Sequence, residues 1–577
     1  MINVSTNLIA QRVNLAKEKT QQSLPEQNIS VPKQQGNGSS LIAKYLEGLA
    51  TINSPVVKVS QPTSSISKPY KNNLRSMFLT NSASILAMIP RTFNAQDTNG
   101  NEYIDGKEIH GTFLNAIDRL DEVKSYGINT LHVLPINPPG KNNAMGTAGS
   151  VYSPLDMLKI DPILIDKNDS RSDIEQFKAF VDACHDRDIK VMVDMPSCAS
   201  YDLFMNRPDL MAFERNGLAK TPQGWNDIRM FQPWEDEGKR TLNPALLEYH
   251  KKFVDMMIDA GVDGIRADVA RAKPVEFWDI IIPYSRKRDP EFAWLAETYT
   301  YEDASPQANM PFDRPEDSLR AGFDAYYGQY HIFHEWNTAK ELHDYVIDNL
   351  NLSYRVEKGK SLIGSFATHD DISPMYHGGA DYCNLTSGLQ ATLPMLNPYF
   401  VDGFHSGDKY DYAYRDMHST NTMTDCNDMT VHQGKLDIFN LSRKPGGNEP
   451  EIGDFAAEAM KLRDKYSDVV KRGSYIILDK KKDKQDQVIA FARHRQGKTL
   501  LVLANKNVNR SVACKVQVPT LKPNQELNNL LPAYGETSKF QLRQGEISLD
   551  LAPGRIHVFE IDTPYIENYT NQVYKQH

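Results

Sequence analysis

Eight short apolar runs separated by helical stretches, followed by a β-rich end, predict a (β/α)8 TIM barrel carrying a C-terminal antiparallel β-sandwich domain. The apolar runs fall at 84–90, 129–136, 189–195, 262–268, 292–297, 321–327, 361–367 and 394–401, the last being the least regular. Helical periodicity occupies 174–186, 245–260, 274–282, 339–350 and 452–466. Strands alternating with helices build parallel βαβ units, and eight of them suffice to close a barrel. After about Gly473 the texture changes to Val/Ile/Leu-rich runs broken by turns, at 488–493, 499–505, 511–518 and 555–561. That is the pattern of an antiparallel β-domain.

The chain therefore divides into an extension (1–80), a barrel (81–470) and a β-domain (471–577). The extension is polar, as in Lys33-Gln34-Gln35-Gly36-Asn37-Gly38-Ser39-Ser40, and cannot bury enough apolar surface to offset its ordering entropy. Its one amphipathic helical stretch is 41–49. Between the third and fourth runs, residues 197–243 are too many for a plain βα loop and predict a small excursion over the barrel mouth.

Composition excludes several functions. The 577 residues hold 65 Lys and Arg against 74 Asp and Glu, a net charge of −9, with no basic stripe to follow a nucleic acid. Apolar stretches such as Ile85-Leu86-Ala87-Met88-Ile89 are strand-sized, far below the roughly 20 residues that span a bilayer. Residues 1–20 show no apolar core followed by a small-residue cleavage site, so a cytoplasmic location is expected. The five cysteines are scattered and form no CxxC pair, which argues against a disulfide scaffold and a zinc site.

Chemistry on such a barrel sits where the strands end. Asp263-Gly264-Ile265-Arg266-Ala267-Asp268-Val269 ends the fourth run. A period of two puts Arg266 and Asp268 on the same side, where the cation holds the carboxylate ionised. In Ala293-Trp294-Leu295-Ala296-Glu297-Thr298-Tyr299, Glu297 follows an apolar run, and desolvation there raises its pKa toward that of a general acid. Phe366-Ala367-Thr368-His369-Asp370-Asp371 ends the seventh. One strand-end acid reads as a structural cap; three, one with an arginine two residues before it, do not.

These segments carry a resemblance. Gly264-Ile265-Arg266-Ala267-Asp268 resembles the G-x-R-x-D nucleophile motif of the α-amylase superfamily, glycoside hydrolase family 13. Leu295-Ala296-Glu297 resembles its acid/base strand and His369-Asp370 its third carboxylate motif, spaced 29 and 73 residues apart. The resemblance covers roughly residues 80–565. It implies a retaining enzyme that hydrolyses or transfers glucosyl or maltosyl units of α-1,4-linked glucans or maltooligosaccharides through a covalent glycosyl-Asp. Asp268 would be the nucleophile, Glu297 the acid/base and Asp370 the transition-state stabiliser, with Asp371 the runner-up for that third role. Arg266, His369 and Asp194 would be substrate-site partners. Tyr152, in Ser150-Val151-Tyr152-Ser153-Pro154, resembles the aromatic beneath the reacting sugar, or else is a core tyrosine.

The chain also departs from that pattern. Where the family has D-x-x-x-N-H, this sequence reads Asp194-Met195-Pro196-Ser197-Cys198-Ala199, and Thr368 stands where Asn usually precedes the His-Asp pair. Ala272-Lys273-Pro274-Val275-Glu276-Phe277-Trp278 looks most like the maltosyltransferase branches, which also depart from the Asn-His corner. In the excursion, Trp225, Phe231 and Trp234 either stack on an acceptor sugar or fill its own core. A non-catalytic glucan-binding or scaffold protein on the same fold is the alternative function. The intact acids argue against it, the altered corner for it.

Asp97-Thr98-Asn99-Gly100-Asn101-Glu102-Tyr103-Ile104-Asp105-Gly106-Lys107-Glu108 sets oxygen donors at positions 1, 3, 5, 9 and 12, the spacing that wraps a hard cation. The resemblance adds that several α-glucosidase-like members carry a similar calcium loop after strand one. A structural Ca²⁺ on Asp97, Asn99, Asn101, Tyr103, Asp105 and Glu108 is expected, despite Glu102 where Gly is usual. Chelation should then lower the melting temperature while leaving low-temperature activity largely intact, because an ion bound only by the native state stabilises it by mass action. Elemental analysis of purified protein showing no metal would rule the site out.

Overall fold

The structure is a computed structural model. It describes residues 70–95, 109–144, 149–222, 226–299, 314–356, 360–371, 373–409 and 449–576. The stretch 41–49, the proposed metal ligands Asp97 to Glu108, and Trp225 lie outside these described residues.

All eight apolar runs form strands of one parallel sheet: β1 (Ile85–Met88), β2 (Thr130–Val133), β3 (Lys190–Met195), β4 (Gly264–Ala267), β5 (Ala293–Ala296), β6 (Ala325–Tyr326), β7 (Ser361–Ile363), β8 (Leu396–Asn397) and β9 (Tyr399–Val401). The irregular eighth run is split. β8 pairs with β7 and β9 pairs with β1, closing the ring across Pro398. Proline has no N–H to give a ladder, so the strand is interrupted there.

The strands' period of two sorts their side chains. Ile85, Ala87, Met192, Ala293, Leu295 and Ile363 fill the barrel interior. Leu86, Leu131, Val191, Val193, Ile265 and Ala267 face outward into the helix layer. That layer includes α2 (Asp173–His185), α3 (Pro244–Asp259), α4 (Val275–Arg288), α5 (Ala339–Arg355), α6 (Met375–Thr392) and α7 (Pro450–Lys465). Their starts are written locally: Ser172 with Glu175 and Thr338 with Glu341 make capping boxes, and Asn243 caps α3 with Pro244 in its first turn. No described helix is long and apolar enough to cross a membrane.

Residues 70–80, assigned by sequence to the polar extension, belong instead to the barrel. A short helix α1 (Leu74–Leu79) buries Leu74 and Phe78 completely in the interior cluster. Asn72 donates to the Asp263 carbonyl and the Asp289 carboxylate, and Arg75 pairs with Asp324. The surrounding polar residues hid the two apolar anchors.

The chain ends in two five-stranded antiparallel sheets enclosing their own core, which includes Ile476, Val488, Leu501, Val516 and Phe559. Two buried arginines meet the last carbonyls of α6, Arg493 tying this sandwich to the barrel and Arg463 tying α7 to α6. Arg493 donates to Thr392 O at 2.8 Å and to Gly473 O at 2.8 Å. Arg463 donates to Gln390 O and Ala391 O at 3.2 and 3.1 Å. They satisfy carbonyls that a helix end leaves without partners.

Candidate active site

The G-x-R-x-D segment is explained first by space. A Cβ on Gly264 would lie 2.7 Å from Ala293 O, so only glycine lets β4 approach β5 this closely. Two residues on, Arg266 points into the barrel and is fully buried. Its Nη1 donates to both oxygens of Asp194 and to Oδ1 of Asp268, each at 2.9 Å. Nη2 lies 2.9 Å from Oε2 of Glu297, and Nε donates to the Tyr327 hydroxyl at 3.1 Å. One guanidinium thus serves three carboxylates. Leaving a charge of such a buried set without its partner costs about 3–5 kcal/mol.

Asp194 lies opposite Arg266 in the β3–β4 register. Burial works against its charge, yet Arg266 and His132 hold its carboxyl down at about 2. The other two acids differ from each other. Asp268 and Glu297 keep only 12% and 11% of their side-chain surface open. Burial pushes Glu297 up to about 8, with Arg266 opposing and Asp268 and Asp370 adding to the rise. Burial raises Asp268 too, but Arg266 opposes it, and the Ser197 N–H and hydroxyl both donate to Oδ2 at 2.9 Å. Pushed up to about 8, Glu297 keeps its proton at neutral pH.

The turn between them is strained. Val269 has φ 34° and ψ 64°, a left-handed conformation that costs a β-branched residue about 1–3 kcal/mol. It aims the Val269 N–H at Oε2 of Glu297, 2.6 Å away, while the Tyr299 hydroxyl donates to Oε1 at 3.2 Å.

The seventh strand end separates its two acids. Thr368, in the place of the usual Asn, donates from its N–H and hydroxyl to Oδ2 of Asp371, both at 3.0 Å. Asp371 is therefore committed to its own turn, and burial pushes it up to about 7. Asp370 keeps 32% of its side chain open, with Oδ1 3.5 Å from His369 Nε2. Burial brings His369 down to about 4, which leaves the ring neutral. Tyr152 donates to Asp194 Oδ2 at 2.7 Å, and its hydroxyl lies 2.7 Å from His369 Nε2. Its ring stacks beside His369 and lies 5.8 Å from the Arg266 guanidinium. Tyr152 is thus a wall of the acid cluster, bonded to two of its members.

The altered corner has its own support. Cys198 and Ala199 are buried in a two-stranded pair with Ile228–Met230. Lys273, also buried, donates to Ser197 O at 2.7 Å, and burial lowers its ammonium to about 8. Ser197, Lys273, Tyr299, Tyr327 and His132 were not picked out by the sequence. Lys273 alone gave a signal, as a charge at the head of an apolar segment. In the excursion Phe231 packs against Tyr249 and His250 as core. Trp234 is half-buried, with Arg240 5.4 Å over its face. Among the described residues no group of three or more His, Cys, Asp and Glu is placed to hold a metal ion.

No family model matches the chain. In sequence it is 26% identical over 306 residues to an alpha-1,4-glucan:maltose-1-phosphate maltosyltransferase of Cereibacter sphaeroides, covering 50% of this chain and 42% of that protein. A protein of the same name from Picrophilus torridus is 24% identical over 446 residues, covering 74% and 63%. The chain thus spans less than two thirds of the length of these curated relatives. Among solved structures, a maltogenic α-amylase from Thermotoga neapolitana superimposes with a TM-score of 0.61 at 21% identity, covering 84% of this chain and 100% of that one. An α-amylase from Lactobacillus plantarum gives 0.60 at 19%, covering 84% and 99%. The chain has the α-amylase fold. The resemblance read from the three acid motifs is borne out, on the side of the maltosyltransferase-like branches.

If Glu297 is the group that must be protonated, kcat/KM for a glycoside falls at high pH with a midpoint near 8, as that proton leaves the free protein. A profile flat to well above that pH would show that Glu297 is not the acid.

Proposed function

We propose that the chain is a retaining α-glucan-active enzyme that transfers glucosyl or maltosyl units between α-1,4-linked oligosaccharides. The observation that carries this reading is Arg266, which bridges two mostly buried carboxyls at neighbouring strand ends. Retaining chemistry asks for an ionised nucleophile and a protonated acid about 5–5.5 Å apart. Asp268 attacks the anomeric carbon while Glu297 protonates the leaving oxygen, giving a glycosyl-Asp. Glu297, now a base, takes a proton from the incoming hydroxyl, which attacks the same carbon and releases Asp268. Asp370, open to the cleft, stabilises the oxocarbenium-like charge. Arg266 and Asp194 fix the pair from below, and Tyr152 and His369 form the wall against the sugar.

Transfer is favoured over hydrolysis by the sequence likeness to proteins named maltosyltransferase and by the altered corner, where Cys198 and Ala199 stand in place of the Asn-His pair and Ser197, held by Lys273, donates to Asp268. A structural Ca²⁺ on the 97–108 loop belongs to the same proposal. The scaffold reading draws only on the altered corner. A bare scaffold has no use for a strained Val269 and a guanidinium shared by three acids.

Asp268→Asn should lower turnover by several orders of magnitude in a folded protein. Glu297→Gln should be as severe on natural glycosides but partly spared on activated leaving groups that need no proton. On maltooligosaccharides, longer and shorter chains should form faster than reducing ends. An unchanged Asp268→Asn rate would end the assignment, and purely hydrolytic products at high substrate would replace transfer with hydrolysis.

A further inference from the structure

Beneath the acids lies a second buried polar layer that takes no part in bond making. Arg266 Nε donates to the Tyr327 hydroxyl at 3.1 Å. The Tyr399 hydroxyl lies 3.0 Å from His132 Nδ1, and its ring packs beside that of Tyr327. His132 Nε2 lies 3.3 Å from Asp194 Oδ2, and Asp194 accepts from Arg266 Nη1 at 2.9 Å. The five side chains come from β2, β3, β4, the end of β6 and β9, and none is more than 1% exposed.

Donor and acceptor accounting gives these bonds one direction. A guanidinium only donates, so Tyr327 accepts from Arg266. Asp194 accepts, so His132 carries its single proton on Nε2 and accepts from the Tyr399 hydroxyl on Nδ1. Phenylalanine or leucine would fill the same volume, whereas polar groups in a dry core are tolerable only when fully paired.

We propose that Tyr327, Tyr399 and His132 are positioning residues: Tyr327 holds the Arg266 guanidinium directly, Tyr399 and His132 hold it through Asp194, and the guanidinium so fixed sets the proton affinities of Asp268 and Glu297. The inference rests on reading Asp268 and Glu297 as the reacting pair. Arg266 is faced by Asp194 from β3, by Asp268 and Glu297 from the ends of β4 and β5, by Tyr327 from β6 and by Tyr152 from the loop after β2. His369 and Asp370, after β7, complete the titratable surroundings. Of these, only Tyr327 and Asp194 beneath it hold the guanidinium without meeting the sugar.

If either arm is cut, Arg266 is held less firmly and its stabilisation of ionised Asp268 weakens, so Asp268 protonates at a higher pH. Tyr327→Phe and Tyr399→Phe should each lower kcat about tenfold or more, with KM within about twofold, and shift the acid limb of kcat/KM upward by about half to one pH unit. His132→Gln, whose amide can both donate to Asp194 and accept from Tyr399, should retain a near-native profile, while His132→Leu should show the shift. An unmoved acid limb, or Gln behaving as Leu, would overturn the proposal. A second measurement covers variants that fail to fold. In ¹⁵N-histidine spectra of the unmodified protein, the His132 ring, assigned by its loss in His132→Gln, should remain the neutral Nε2–H form from about pH 5 to 8. A titrating imidazole, or the Nδ1–H form, would overturn the proposed arm. That spectrum needs no substrate, so its failure is seen apart from a failure of the Asp268 assignment, which the Asp268→Asn rate alone decides.

Discussion

A fully buried guanidinium that must be met by oxygen is the constraint on which the rest of this site depends. Arg266 sits inside the barrel because β4 alternates strictly and Gly264 brings that strand against β5. Once there, its charge costs several kcal/mol to desolvate unless carboxylates surround it. Asp194, Asp268 and Glu297 meet it on three sides, and Tyr327 takes the remaining N–H. The acids are thereby positioned by the same interaction that makes the arginine tolerable, so structure and chemistry cannot be separated at this point.

The chemistry then arises from inequality between Asp268 and Glu297. Both are mostly buried and both touch Arg266. Asp268 also receives the Ser197 N–H and hydroxyl, Glu297 the Val269 N–H and Tyr299 hydroxyl, and the nearby charges of Asp268 and Asp370 push Glu297 further up. Ser197 is anchored in turn by Lys273, itself buried. The left-handed Val269 turn places a backbone N–H on Glu297 at the expense of local strain. A corner that looks degraded beside the α-amylase pattern is thus rebuilt with different groups, and the two carboxyls remain poised for opposite tasks.

The frame was legible because it rests on periodicity. Apolar runs at 84–90 through 394–401 all became strands, and alternation alone put Arg266 and Asp268 on the inner face. The acids were legible because charges at the ends of apolar runs are rare without function. What the sequence hid depends on distant partners. His132, Tyr327 and Tyr399 sit in runs that read as ordinary strands, and only barrel closure brings them together. Lys273 meets Ser197 across 76 residues of chain. The resemblance already put Asp370 ahead of Asp371, but not that Thr368 turns its donors onto Asp371. Leu74 and Phe78 were concealed by polar neighbours, so the barrel begins earlier than its hydrophobic pattern.

The most direct test of the account is covalent capture of the intermediate. The Glu297→Gln protein, incubated with a fluorinated α-glycosyl fluoride whose good leaving group needs no acid, should accumulate one glycosyl adduct, and peptide mass spectrometry should place it on Asp268. An adduct on another residue, or none at all while the activated donor is still consumed, would contradict the roles derived from the Arg266 bridge.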